Sequence, residues 1–145
     1  MNYIEYILKI TLSIVMGIII GYEREKSYKD AGIKTNMLVC LGACIFTILS
    51  YENAIESSDP TRMAAQIISG IGFLGAGAII KNNLSAKGLT TASIIWISAA
   101  IGTSIGFGYY ILPIMATALF QIFIFIIKKV EKYYIRGKKN EKKKQ

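Results

Sequence analysis

Residues 89–127 run for 39 positions without an Asp, Glu, Lys or Arg, and a water-facing helix or strand cannot be built from such a stretch. A hydrocarbon layer of roughly 30 Å takes about 20 helical residues at 1.5 Å each. The run is therefore too long for one crossing and is expected to hold two. The Gly102 to Tyr110 stretch, with Pro113 soon after, is the natural place for the chain to fold back. Residues 35–51 and 64–80 are likewise free of charged side chains, and 53% of the whole chain is hydrophobic. The expected fold class is all-α, a polytopic transmembrane bundle of about five spanning helices over residues 3–22, 35–50, 60–80, 89–103 and 109–127. That membrane domain, residues 1–127, is followed by a basic tail at 128–145, and the first solvent and partner of the chain is a lipid bilayer.

The charged residues test this count independently. Five crossings put the two ends of the chain on opposite sides. Arg24, Lys26, Lys29 and Lys34 in the first loop, Lys81 and Lys87 in the third and nine basic residues of the tail fall on one side. Only Arg62 falls on the other, with Lys9 inside the first helix. Basic loops stay in the cytoplasm, so the amino terminus is expected outside and the tail inside. One long hairpin in place of the fourth and fifth helices would spoil the asymmetry.

The net charge of +8 does not point to nucleic acid, because nine of the 17 basic residues lie between Lys128 and Lys144. A basic run directly after an apolar helix anchors orientation and meets anionic lipid. Cys40 and Cys44, four apart on one helix face, are expected to be small packing residues, with no His in the chain to complete a zinc site. Glu5 precedes the first apolar segment and the basic cluster follows it, the reverse of a secretory signal, so that segment is expected to stay in the mature protein.

Gly70-Ile-Gly72-Phe-Leu-Gly75 spells the dinucleotide fingerprint. That motif needs a strand before it and a helix after it in a water-facing unit, and here it lies inside a spanning segment. Close packing explains the glycines better. Ala65, Ser69, Gly72 and Ala76 recur at helical spacing, as do Ser13, Gly17 and Gly21 in the first helix and Ser98, Gly102 and Gly106 in the fourth. Stripes of small residues let helices approach closely. Gly17, Gly21, Gly70, Gly72, Gly75, Gly77 and Gly102 are the expected packing glycines, and a stripe can face a second copy of the chain as well as another helix of its own.

Other positions carry two readings each. Asp59 can cap the third helix, with Pro60 at its first position. Arg62, with Gln66 one turn on, is either a rim residue or a functional one. Glu23-Arg24-Glu25 closes the first helix with acids poorly matched to its dipole. They either pair with Lys26, Lys29 or Lys34 or form a cation or partner site. Thr90 and Thr91 cap the fourth helix or bond across helices, and Trp96 at mid-span reads as a packing anchor. Paired carboxylates, a His base and an activated nucleophile are all missing, so neither catalysis nor a cofactor is expected. A metal site cannot be assigned, since no carboxylate lies near the middle of helices two to five.

In Gly21-Tyr-Glu23-Arg24-Glu25, Ala31-Gly32-Ile-Lys-Thr35, Asp59-Pro60-Thr-Arg62, Gln66-Ile-Ile-Ser-Gly70-Ile-Gly72-Phe73-Leu74-Gly75-Ala76-Gly77, Gly88-Leu89-Thr90-Thr91-Ala92, and Trp96 with Ala99-Ala100-Ile-Gly102, the chain resembles the MgtC/SapB family of bacterial membrane proteins. The motifs stand in family order over about residues 15–108. The resemblance implies an inner-membrane protein connected with magnesium homeostasis, growth at low magnesium and, in some pathogens, survival inside host cells. It also implies action on other membrane proteins, the ATP synthase among them, rather than transport of the ion. Longer members add a soluble carboxy-terminal domain, and the basic tail is expected to stand in its place. A non-enzymatic regulator that docks a partner helix or a second copy is the leading expectation. The alternative is an oligomeric magnesium or cation transporter or channel built from Asp59, Glu23, Glu25, Thr90, Thr91 and Ser93.

Overall fold

A computed structural model describes residues 2–53, 59, 61–82 and 85–141, leaving the side chains of 63, 80–85 and 134–141 aside. Pro60 and most of the acidic link before it lie outside the described residues, as do Lys142, Lys143 and Lys144 of the tail. Five helices follow one another in alternating directions: α1 (Tyr3–Lys26), α2 (Ile33–Glu52), α3 (Arg62–Gly77), α4 (Leu89–Gly106) and α5 (Ile111–Glu141). Among the described residues four helices, α1, α2, α4 and the Ile111–Tyr133 part of α5, are long and apolar enough to cross a membrane. The chain is a transmembrane helical bundle.

Several boundaries differ from the sequence expectation. The charged residues that mark the end of an apolar run do not end the helix, since main-chain hydrogen bonds continue through Glu23–Lys26 and, in α5, well past Ile127. Conversely α3 is short. Its 16 residues reach about 24 Å, and the segment after it, expected to be helix to residue 80 and then a polar turn, is a two-stranded antiparallel hairpin, β1 (Ile80–Asn82) and β2 (Ser85–Lys87). Gly88 joins this hairpin to α4 at φ +89°, and a Cβ there would lie 2.0 Å from the Ala78 carbonyl oxygen, so only glycine fits the junction.

α1, α2 and α4 form the centre of the bundle. Met16, Ile20, Cys40, Cys44, Ile48, Ile94, Ile101 and Ile105 make one apolar cluster between them. The three helices touch backbone to backbone because small residues line the seams. A Cβ on Gly17 would lie 2.6 Å from the Met37 Cα, one on Gly21 2.5 Å from the Ile33 Cα, and one on Gly102 2.0 Å from the Cys40 carbonyl oxygen. Such distances leave no room for any other residue. A second cluster, Ala43, Ile71, Ile95 and Ala99, holds α3 against α2 and α4.

α5 lies at the periphery, with 11% of its apolar window buried against 50% for α4. Polar clasps hold it to α1. The Gln121 amide donates to the Ile19 carbonyl at 2.6 Å, and Lys128 pairs with Glu23 and donates to the Ser27 hydroxyl.

Candidate functional site

The alternation of the helices gathers the α1–α2 turn, the start of α4 and the later part of α5 at one end of the bundle. Here the sequence candidates Glu23, Arg24, Glu25 and Thr91 meet. Arg24 is 3% exposed. Its Nε and Nη2 donate to the Asp30 carbonyl at 3.3 and 3.2 Å, and Nη2 also donates to the Thr91 hydroxyl at 2.6 Å. Thr91 therefore bonds across helices, and Thr90 beside it is exposed. Glu23 pairs with Lys128 of α5 and accepts from Ser27, not with Lys26, Lys29 or Lys34 as the local sequence suggested, because those lysines stand exposed on or beside the turn. Glu25 is exposed and accepts the Ile33 amide at 3.1 Å, which satisfies a free donor at the start of α2 that its N-cap glycine has no side chain to reach.

The turn itself is shaped by side chains. Tyr28 and Ala31 take left-handed φ values of 52° and 55°, a conformation that costs energy in residues with a Cβ. At Ala31 the turn is held by Asn36, which is fully buried and donates to the Ala31 and Gly32 carbonyls while its amide oxygen accepts from the Ser98 hydroxyl at 2.8 Å. Asn36 thus joins the turn to the middle of α4. Sequence reasoning missed it. The available signal was an amide inside an uncharged spanning segment, where a polar side chain needs partners.

Asp59, Arg62 and Gln66 lie towards the opposite end and do not join this group. Asp59 and Arg62 are exposed. The Asp59 carboxylate accepts from the Thr61 hydroxyl at 2.7 Å and the Thr61 amide at 2.8 Å, and these bonds hold its carboxyl below the usual carboxylate range. Near the same end an open recess of about 950 Å³ is lined by Glu5, Lys9, Glu52 and Asn53. Lys9, 4% exposed, bonds the Gly106 carbonyl at 3.0 Å and Glu5 at 3.2 Å, while the Tyr6 hydroxyl donates to Glu52. This polar recess also went unforeseen, although Lys9 stood out as a charge inside a span.

Among the described residues nothing packs closely on the small-residue face of α3. Ala65, Ser69, Gly72 and Ala76 are exposed, and a Cβ on Gly70, Gly72 or Gly77 would meet nothing within 4 Å. Of the α3 glycines, only Gly75 has a described neighbour within 4 Å of a built Cβ, the Ala92 side chain at 3.6 Å. Gln66 and Gly70 border an apolar groove of about 540 Å³ between α3 and α2. Trp96, expected as a packing anchor, is half exposed and borders a smaller groove on the other side of α3.

The chain is 42% identical over 114 residues to Protein MgtC of Salmonella typhimurium, covering 79% of this chain and 48% of that protein. It is 49% identical over 94 residues to Protein MgtC of Brucella abortus, covering 65% and 39%. An uncharacterised protein of Synechocystis is 46% identical over 110 residues, covering 76% and 47%. The chain thus spans about half the length of the curated relatives it matches. No solved structure matches it. The sequence model of the MgtC family matches residues 10–133, which reaches into all five helices: the chain belongs to the MgtC family.

Proposed function

We propose that the bundle is a non-enzymatic membrane protein that serves magnesium homeostasis by docking other membrane proteins, and that the outward face of α3 is the docking surface. In this reading it sits in the bacterial inner membrane with its amino terminus outside and its basic end in the cytoplasm. The observation that carries the reading is the contrast within one set of small residues. The stripes of α1 and α4 are closed against neighbouring backbone, whereas Ala65, Ser69, Gly72 and Ala76 stay open beside an apolar groove. Lipid tails gain little from a face that exposes backbone, but another helix can approach it closely.

Single cysteines placed along α3 in a chain lacking Cys40 and Cys44 test the reading by crosslinking in native membranes. Adducts are expected at Ser69, Gly72 and Ala76, and not at Ala64 or Ile71, which face the bundle. A crosslink to a different membrane protein supports the docking reading, and one to a second copy assigns the face to a homodimer. Equal labelling around the helix overturns the surface. In liposomes the protein alone is expected to pass no magnesium. A robust flux abolished by changing Glu25 or Arg62 would establish transport instead.

A further inference from the structure

The groove between α2 and α3 is apolar along its length except at one point. Leu38 and Phe46 of α2 and Ile67 and Leu74 of α3 wall it, and Gln66 is the one polar residue of its lining. Leu38, Phe46 and Leu74 are each more than half exposed, so the two helices do not close over it. Gly42 and Gly70 keep it open, since a Cβ on either would meet nothing within 4 Å. On both helices the lining spans the same length of chain, Leu38 to Phe46 and Gln66 to Leu74. At the helical rise that is about 12 Å. In a transmembrane bundle such a groove opens onto hydrocarbon, and one leaflet of the roughly 30 Å layer is about 15 Å deep.

The amino-terminal end of α3 supplies what the groove itself lacks. Gln66 lies there, and Arg62 stands one helical turn before it, exposed. Among the described residues neither side chain has a hydrogen bond or an ion pair. The first turn of α3 holds no acidic residue. The carboxylate nearest in sequence, Asp59, is engaged by the Thr61 amide and hydroxyl. An apolar groove of leaflet length therefore leads up to an unpaired guanidinium and an unpaired amide, both of which can donate to an anion.

We infer that the α2–α3 groove binds a membrane phospholipid with an anionic headgroup, one acyl chain lying between the helices and the phosphate meeting Arg62. The charge of the guanidinium selects the headgroup, because a basic side chain at the edge of the hydrocarbon layer attracts anionic lipid. The walls select the chain. A tail in the groove is touched from both helices, whereas on the open outer face of α3 it is touched from one side alone. The groove is on the α2 side of α3, and its occupancy does not depend on what docks on the outer face.

Photo-crosslinking of the full chain in phosphatidylcholine vesicles provides the test. A small fraction of phosphatidylglycerol with a diazirine in its acyl chain is included, and adducts are mapped by mass spectrometry after irradiation. Adducts per residue within 38–46 and 66–74 are expected to exceed those on the exposed helix Ile111–Tyr133 by about fivefold. The same diazirine carried on phosphatidylcholine is expected to lose that excess. Gly70→Leu fills the groove without a clash, and should remove the excess while leaving adducts on 111–133 and the unfolding temperature in detergent as in the parent. Gly42→Leu fills it from the other helix and gives the same reading if the Gly70 variant fails to fold. Arg62→Gln leaves the walls intact and should abolish the preference for phosphatidylglycerol over phosphatidylcholine. The inference is overturned if adducts are spread evenly over the groove and 111–133, if both lipids label the groove alike, if the folded groove-filling variants are labelled as the parent is, or if Arg62→Gln keeps the preference. Protein crosslinks from Ser69 and Gly72 report the docking face separately, so either reading can fail without the other.

Discussion

Gly102 and Gly72 are both glycines of an apolar helix, both members of a small-residue stripe, and the structure uses them in opposite ways. At Gly102 the Cys40 carbonyl occupies the space a side chain would need. At Gly72 that space is open. α1 and α4 have spent the glycines of their stripes on contact with α2, while α3 keeps its own on the outside. Spacing shows which residues share a face and says nothing about where the face points. In a membrane the usual guide, apolar inward and polar outward, is lost, because the outer solvent is as apolar as the core.

The contrast can be broken most severely at its closed side. Gly102→Ala pushes a methyl group into a main-chain oxygen that cannot swing away, and is expected to cost about 3 kcal/mol or more, read as loss of folded protein in detergent or a large drop in unfolding temperature. Asn36→Leu comes next. It releases the turn carbonyls and leaves the Ser98 hydroxyl without its acceptor, at about 2 kcal/mol. Pairing it with Ser98→Ala should recover part of that loss, and a purely additive double variant would show that the two side chains do not act through each other. Gly72→Leu sharpens the open side. Its effect on the stability of the isolated chain is expected to stay within about 0.5 kcal/mol, while crosslinking from neighbouring α3 positions falls. A stability loss close to that of Gly102→Ala would mean that α3 packs far more tightly than its exposure indicates.

Much of the fold was legible because charge marks where a chain leaves the hydrocarbon layer. The uncharged runs located all five helices. They misplaced the helix ends, since Glu23–Lys26 and the basic stretch of α5 stay helical with no proline to interrupt them, and charge ends solubility in lipid rather than main-chain bonding. The hairpin after α3 escaped because Ala78 to Ile80 reads as continuing apolar helix, whereas the glycines before it weaken helix formation. At the candidate site, Glu23-Arg24-Glu25 and Thr90-Thr91 were visible as motifs. That Arg24 reaches Thr91, 67 positions away, and that Lys128 takes Glu23, are facts of tertiary packing that no local pattern carries. Asn36 was the avoidable omission.

The α1–α2 turn gains an unusual property from its bonds. Tyr28 is fully exposed at its tip, yet the carbonyls of Asp30, Ala31 and Gly32 are all held by buried side chains, those of Arg24 and Asn36. Accessibility and pliability are thereby separated. A protease needs a strand it can draw out into its cleft, and this segment presents an aromatic ring on a backbone that cannot be drawn out without first breaking the bonds of Arg24 and Asn36 to its carbonyls.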